Sequence, residues 1–354
     1  MSKGVKNNML INAVDLFCGV GGLTRGVANT GINVIAGIDL DADCKYAYTT
    51  NNQSKFIHAS VSEIKSETIF NLYQKESVKI LMGCAPCQPF STYNNKKGKV
   101  RHKDWFLLNS FAEHIKKIQP DVISMENVPS LEKEEIFQDF LNTLKENNYF
   151  VSYEIVNAAD YGVPQRRKRL LLLASKYGKI KLIKPTHKNK KITVRDAIGS
   201  LHTIKAGETD RDDMLHTASA LSELNLERIK HSKQGGTWRD WPQEILPECY
   251  KKQSGSTYSA VYGRMCWDDV APTLTTQFTR YGTGRYGHPT QNRAISLREG
   301  ALLQSFPIDY KFTENINYDK TKVARHIGNA VPVKLGEAIG ESIKQHLKTF
   351  NISP

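Results

Sequence analysis

Residues 12–22 read NAVDLFCGVGG, an apolar run that passes directly into a glycine-rich turn. The residues that follow, 23–28, are compatible with the start of a helix. A strand, a glycine turn and a helix in this order are typical of the first unit of a ligand-binding α/β sheet. Glycines let the backbone approach a ligand, and a helix N-terminus favours a negative group. The motif is not a complete GxGxxG, so an ordinary tight turn is the alternative interpretation of this stretch alone.

Five further short apolar runs follow, and helical patterns separate them. The runs occupy residues 33–39, 55–59, 78–84, 121–127 and 169–175, and the clearest helical patterns occupy 105–118, 134–147 and 333–347. This alternation predicts an α/β fold, with a parallel sheet, helices on both faces and ligands beyond the carboxyl ends of the strands. Residues 177–290 lose the periodicity, so we predict a smaller, irregular or β-rich domain there. Residues 1–176 and 291–354 would form the larger domain.

Composition and charge narrow the class of protein. The chain has 354 residues, of which 40% are hydrophobic and 24% charged, as in folded globular proteins. No apolar stretch is long enough to cross a membrane, and the first residues lack a secretory signal.

The formal charge is +13, divided into +3 over residues 1–175 and +10 over 176–354. An excess of positive charge on one part of a chain indicates a polyanionic partner, although a solvated basic surface has the same composition.

The six cysteines do not indicate a disulfide framework, because no secretion signal accompanies them. Cys84 and Cys87 form a CxxC, but no second CxxC and no histidine pair at finger spacing is present, so we expect no metal. Residues 83–91 read GCAPCQPFS, and the prolines on either side of Cys87 fix the turn that presents its thiol. We interpret Cys87 as a nucleophile. Cys18 and Cys84 are interpreted as small apolar residues at strand ends.

Two more motifs follow strands of the predicted sheet. Glu126 is the penultimate residue of the run 121–127 and would lie beside Cys87 if the two strands are neighbours. A carboxyl in such a pocket can donate or accept a hydrogen bond, whereas a helix-capping acid is the plainer interpretation. Residues 164–169 read PQRRKR, and a period of two places Arg167 and Arg169 on one face. These arginines could hold a phosphate or a base edge, or orient Glu126, and a solvated basic turn is the alternative.

Taken together and in order, these motifs resemble the cytosine-5 DNA methyltransferases. The series is DLFCGVGGL, GCAPCQPFS, ENV, QRRKR, REGALLQSFP at 298–307 and GNAVP at 328–332. The resemblance implies a Rossmann-like class I methyltransferase domain that uses S-adenosyl-L-methionine and releases S-adenosyl-L-homocysteine. It also implies that Cys87 attacks C6 of a flipped-out cytosine while Glu126 contacts N3 and the exocyclic amine. Arg169, together with Arg167, would hold the base carbonyl, Glu126 or a nearby phosphate.

The resemblance further implies a set of cofactor-binding residues. Asp39 matches the acid that binds the ribose, and Leu40 would pack on the adenine. The family usually has an acid where this chain has Ser60, so the reading of the adenine amine is the point at which the chain departs from the pattern. The remaining matched residues are Phe17, Gly19, Gly21, Gly22, Val61, Pro86, Asn329 and Val331.

DNA contacts are expected in two segments. Residues 92–104 are polar and basic, and the family has a mobile loop at this place that closes over DNA; its candidate contacts are Lys96, Lys97, Lys99 and Arg101. Residues 177–290 would be the target-recognition domain, with 277–288 as the best candidate for groove contact through Arg280 and Arg285, because arginine pairs bidentately with guanine. We expect Trp238 and Trp241 to pack in the core of that domain rather than stack on bases.

We therefore predict a monomeric modification enzyme of a restriction–modification system that acts on double-stranded DNA. It would be cytoplasmic and nucleoid-associated, without a membrane or metal, and a cognate restriction endonuclease would act separately. Three alternatives stay open at this stage. They are a tRNA cytosine-5 methyltransferase, a non-catalytic DNA-binding subunit and a nicotinamide-dependent oxidoreductase.

Overall fold

The computed structural model describes residues 10–86, 105–252, 255 and 260–352. The chain divides into two compact units. The first unit comprises Met1–Tyr161, Lys168–Pro185 and Val331–Pro354, and the second comprises Gly162–Arg167 and Thr186–Ala330.

These boundaries differ from the predicted ones at 176 and 290. The first unit continues to Pro185, and only Val331–Pro354 of the predicted final segment returns to it. Residues 291–330 belong to the second unit because their helices pack against helices of that unit, and 162–167 join it through a bridge between Gln165 and Ala271. Such contacts depend on residues far apart in sequence, so composition and periodicity do not reveal them.

A seven-stranded sheet forms the centre of the first unit, in the order β3-β2-β1-β4-β5-β7-β6. Neighbouring strands from β1 to β5 are parallel, whereas β7 is antiparallel to both β5 and β6. The predicted α/β fold is confirmed. The strand β6 was not predicted, because most of its side chains are partly or fully exposed and show no buried run. The strands are β1 (Ile11–Leu16), β2 (Asn33–Asp39), β3 (Lys55–His58), β4 (Val78–Gly83), β5 (Val122–Asn127), β6 (Phe150–Asn157) and β7 (Lys168–Ser175).

The helices are distributed over both units. Those of the first unit are α1 (Gly22–Ala28), α2 (Cys44–Asn51), α3 (Ser66–Phe70), α4 (Trp105–Ile118), α5 (Glu135–Glu146) and α11 (Val333–Lys348). Those of the second unit are α6 (Val194–Ile198), α7 (Glu223–His231), α8 (Glu248–Lys251), α9 (Leu297–Leu303) and α10 (Lys320–Asn329). None of the described helices is both long enough and apolar enough to cross a lipid bilayer.

In the first unit α1 packs on α11, the last described helix of the chain. A Cβ atom added at Gly26 would lie 2.2 Å from the carbonyl oxygen of Val333, so this position needs the absence of a side chain. The core of the unit lies between the sheet and α4 and α5, where Phe111, Phe137 and Phe140 are buried against strand residues such as Leu172. This core fixes the carboxyl ends of the strands, at which the predicted site residues lie.

The second unit is irregular. In its described residues, helices, short 3-10 turns and isolated bridges take the place of paired strands, so the irregular alternative was correct and the β-rich one was not. Buried arginines connect its segments. Arg264 donates five hydrogen bonds, and four of them go to backbone carbonyls. Trp238 and Trp241 are buried in its aromatic cluster, as expected.

Candidate active site

The loop after β1 orients a carboxylate at the end of β2. Gly21 has a φ of 87°, a conformation that glycine adopts without strain, and the turn that it closes directs the N–H of Gly19 to Asp39. Oδ2 of Asp39 accepts from the Gly19 N–H at 2.8 Å, and Oδ1 accepts from the Asp41 N–H at 2.8 Å. An ionised carboxylate has about four acceptor sites and is therefore a suitable group for binding hydroxyls. Leu40, directly after Asp39, is 67% exposed, so an apolar surface lies open next to this carboxylate.

A second acid lies beneath the same loop. Asp15 is buried in β1, and its Oδ2 accepts a hydrogen bond from Thr24 Oγ1 at 2.7 Å. The Thr24 hydroxyl is 3.1 Å from the Tyr48 hydroxyl, which in turn is 2.8 Å from that of Ser54. Burial, reinforced by the negative charge of Asp39, raises the pKa of Asp15 to about 7. Sequence reasoning assigned no role to Asp15, because a single acid in an apolar strand gives no sign of its partners.

Ser60 and Val61 lie just after the end of β3. The Ser60 hydroxyl is 2.7 Å from that of Ser62 and accepts a hydrogen bond from the Ser62 N–H at 3.3 Å. Val61 is buried, and its carbonyl is 2.7 Å from Nε2 of His114, whose pKa is lowered by burial. The hydroxyl of Ser60 is therefore part of a local turn at the place where the family usually has an acid.

Glu126 lies at the centre of the candidate site. It is the penultimate residue of β5 and is only 2% exposed. Arg169 Nε lies 2.8 Å from Glu126 Oε1, and the Cys84 thiol donates to Oε2 at 2.7 Å. Orienting Glu126 is one of the roles predicted for Arg169, and it stays a prediction. The role of Cys84 was missed. The pairing of Gly83 with Met125 places Cys84 opposite Glu126, but this register is not visible in one sequence.

Arg167 lies in a different unit from Glu126 and Arg169. It belongs to the second unit and is buried there, where its guanidinium donates to the carbonyls of Leu274 and Gly328 at 3.1 Å each. A period of two predicts that Arg167 and Arg169 share one face of a strand, but β7 begins only at Lys168. These hydrogen bonds hold Arg167 within the second unit, and its action together with Arg169 stays a prediction.

Three further predicted site residues lie among the described residues, and others lie outside them. Pro86 is exposed directly after the turn that carries Cys84. Asn329 is exposed at the end of α10 in the second unit, and Val331 is buried in the first unit. Cys87 and the basic residues Lys96, Lys97, Lys99 and Arg101 lie outside the described residues.

The segment 277–288 alternates anchored and exposed side chains. Phe278, Tyr281 and Tyr286 are buried, while Arg280 and Arg285 are exposed. The Tyr281 hydroxyl is 2.8 Å from that of Ser232, and the Tyr286 hydroxyl donates to the carbonyl of Thr273 at 3.0 Å. The aromatic side chains thus fix the backbone and leave two cations at the surface of the second unit, an arrangement that suits an anionic ligand.

Comparison with known proteins finds relatives along almost the whole chain. Residues 11–345 match the sequence profile of a family described as C-5 cytosine-specific DNA methylase. The chain is 52% identical over 339 residues to the Type II methylase M.HgiDII of Herpetosiphon aurantiacus, with 95% of each chain covered. It is 31% identical to the Type II methyltransferase M.PspPI of a Psychrobacter strain, over 96% of this chain and 80% of the relative.

A solved structure shares the fold. It is a putative DNA modification methyltransferase encoded within an Escherichia coli prophage, with a TM-score of 0.72 at 22% identity. The superposition covers 96% of this chain and 99% of the solved one. At this level of identity the likeness shows the fold alone.

Proposed function

The chain belongs to the C-5 cytosine-specific DNA methylase family, and from that premise we propose how it performs its reaction. It is a DNA cytosine-5 methyltransferase of the bacterial Type II kind. The proposal is that it transfers a methyl group from S-adenosyl-L-methionine to C5 of a flipped-out cytosine in a specific duplex sequence, through a covalent adduct of Cys87. The observation that supports it is Glu126, held between Arg169 and Cys84 beside the turn that leads to Cys87.

The loop after β1 and the end of β2 fit the cofactor. The Asp39 carboxylate is oriented by two backbone N–H groups, and a carboxylate is the acceptor that the two ribose hydroxyls require. Leu40 offers an exposed apolar surface for a flat heterocycle. Gly19, Gly21 and Phe17 form the turn on which the methionine end would lie. When bound, S-adenosyl-L-methionine supplies an electrophilic methyl group and leaves as S-adenosyl-L-homocysteine.

The residues of the chain would prepare the cytosine for this transfer. The Cys87 thiolate attacks C6, and the electrons displaced toward C5 make that carbon nucleophilic. Glu126 shares a proton with N3 and accepts a hydrogen bond from the exocyclic amine, so that charge developing on the ring is stabilised. Because Glu126 is buried, the base must leave the duplex to reach it, at a cost of a few kcal/mol. Loss of the C5 proton and cleavage of the C6–S bond then regenerate the thiolate.

The DNA would be held by cations and read by the second unit. We propose that the basic segment 92–104 contacts phosphates and that Arg280 and Arg285 contact base edges from their anchored segment. We propose further that the enzyme acts as a monomer and that a cognate endonuclease, which cleaves unmodified sites, acts separately. Support for this last step comes from the relatives, which are Type II methyltransferases by name.

A duplex that carries 5-fluorocytosine at the target position tests the mechanism. Fluorine at C5 cannot leave as a proton does, so the adduct with Cys87 persists after methyl transfer. We expect a denaturation-resistant complex of protein and DNA that requires S-adenosyl-L-methionine and that Cys87→Ser does not form. Cys249→Ser, a change at an exposed cysteine of the second unit, is the matched control and should form the complex as the wild type does. A full yield of complex from Cys87→Ser would refute the assigned nucleophile.

A further inference from the structure

Two side-chain hydrogen bonds fasten the turn after β4 to the end of β5. The Cys84 thiol donates to Oε2 of Glu126 at 2.7 Å, and Nδ2 of the next residue, Asn127, donates to the carbonyl of Ala85 at 3.3 Å. Cys84 is half-buried and Glu126 is almost fully buried, so little water competes for these bonds. The backbone that leads to Pro86 and the buried carboxylate are therefore held together.

The thiol and Arg169 act on different oxygens of the same carboxylate. Arg169 lies 2.8 Å from Oε1, whereas Cys84 binds Oε2. Among the described residues Oε1 accepts no hydrogen bond, so Arg169 attracts that oxygen through its charge. The hydrogen bond from the Cys84 thiol to Oε2 is the directional contact that limits rotation of the carboxylate about its terminal bond. A thiol is a weak donor, so it orients the oxygen without competing strongly against a substrate for the remaining lone pair.

We propose that Cys84 is a positioning residue for methyl transfer, whose thiol holds the Glu126 carboxylate in the plane that meets the N3 and amine edge of the cytosine. This inference rests on the proposed function, because it requires Glu126 to contact the base. Cys84 acts through Glu126 and forms no bond to the substrate. It is thus distinct from Cys87, three residues further along the chain.

The test compares Cys84→Ser with Cys84→Val in the full-length protein. Serine keeps a donor for Oε2, whereas valine fills the same space without one. Because misplacement of a reacting group by about 1 Å can cost about 100-fold, we expect Cys84→Val to lower the single-turnover rate about 10- to 100-fold. KM for DNA and for S-adenosyl-L-methionine should stay unchanged, and Cys84→Ser should restore most of the rate. Cys266→Ala, at a half-buried cysteine of the second unit, is the control and should keep the wild-type rate.

A second background separates positioning from a general structural role. In Glu126→Gln the carboxylate is gone, so Cys84→Val should cause little further loss of the residual rate. Equal rates for Cys84→Val and the wild type would overturn the proposal, as would an equal loss from Cys84→Val in both backgrounds. A failure of the proposed function would give a different result, because the wild type itself would then transfer no methyl group to DNA.

Discussion

Two buried carboxyl groups, one in each unit, show how differently the units are built. Asp15 in the first unit accepts hydrogen bonds from Thr24, and burial raises its pKa to about 7. Burial would also raise the pKa of Glu299 in the second unit, but hydrogen bonds from Arg293 and its charge lower that pKa below its ordinary value. Both Glu299 oxygens accept from Arg293, at 2.7 Å each. The first unit thus contains a carboxyl, Asp15, whose pKa lies near neutrality, whereas the second unit contains a buried ion pair between Arg293 and Glu299.

The difference extends to the backbone. In the first unit the ladders of a seven-stranded sheet satisfy the main chain, and the side chains at strand ends remain for ligands. In the second unit, side chains take over part of this task, as Arg264 does for carbonyls of separate segments such as Ile229, Ser232 and His288. We infer that regular backbone pairing stabilises the first unit, whereas a few buried charged side chains stabilise the second.

The largest expected effect follows from breaking the ion pair of the second unit. Glu299→Ala leaves the guanidinium of Arg293 buried without its counter-charge, which should cost about 3–5 kcal/mol in the free energy of unfolding. Tryptophan fluorescence during urea denaturation measures this loss of stability. The signal reports on the second unit because Trp238, Trp241 and Trp267 all lie there. Glu299→Gln, which keeps an acceptor oxygen, should lose less. A loss below about 1 kcal/mol for Glu299→Ala would show that the pair does not hold the unit together.

The next prediction concerns how the stability of the protein depends on pH through Asp15 in the first unit. The pKa of Asp15 rises from an ordinary 3.8 to about 7 on folding, so the folded state binds the extra proton. This stabilising contribution is present at low pH and is lost as the pH rises toward 7. Asp15→Asn should therefore gain stability relative to the wild type between pH 4 and pH 7, by up to about 4 kcal/mol.

The free energy of unfolding is measured by urea denaturation for the wild type and for Asp15→Asn at several pH values. The free energy of the variant minus that of the wild type is then plotted against pH. It should rise toward pH 7 and level off above it, whereas parallel curves would contradict the account. Glu299 should produce the opposite slope, because its lowered pKa stabilises the fold above its ordinary titration range and this stabilisation is lost on acidification.

A smaller effect should follow from disturbing helix packing in the first unit. Gly26→Ala places a methyl group against the backbone of Val333, where α1 meets α11, and should destabilise the protein by about 1–3 kcal/mol. Thermal denaturation compares it with Ala28→Ser, a change at an exposed residue of the same helix. If both variants melt together, backbone contact between the helices is not what stabilises this part of the unit.

The smallest effect tests whether the ion pairs of the second unit act through burial. Arg195 and Asp268 form an exposed pair at 2.7 Å, which solvent screens. Asp268→Ala should leave the denaturation midpoint unchanged under the conditions in which Glu299→Ala shifts it. A comparable shift from both substitutions would mean that charge pairing, and not burial, distinguishes this unit.

The contrast between regular strand pairing in the first unit and side-chain contacts in the second explains which features the sequence could predict. The strands β1 to β5 and β7 and the helices α4 and α11 follow from periodicity, which reflects burial of one face by the sheet or the core. Glu126, Asp39 and the glycine loop were placed at strand ends because parallel strands bring their carboxyl ends to one edge.

Features that depend on distant partners could not be predicted. Cys84 was interpreted as a small apolar residue because its partner, Glu126, lies 42 positions away on the neighbouring strand. Arg167 was grouped with Arg169 by spacing, although the carbonyls that it binds belong to residues 274 and 328. Most side chains of β6 are partly or fully exposed, so the strand has no buried periodic pattern to reveal it.

The central claim is that this chain methylates cytosine at C5 in a defined DNA sequence and uses Cys87 to do so. Base-resolution bisulfite sequencing of DNA from a methylation-free bacterial host that expresses the protein tests it most directly, with a Cys87→Ala strain beside it. We expect protected cytosines within one short sequence motif, and none in the Cys87→Ala strain. Full conversion of every cytosine despite folded, expressed protein would contradict the claim, and protection that persists in Cys87→Ala would contradict the assigned nucleophile.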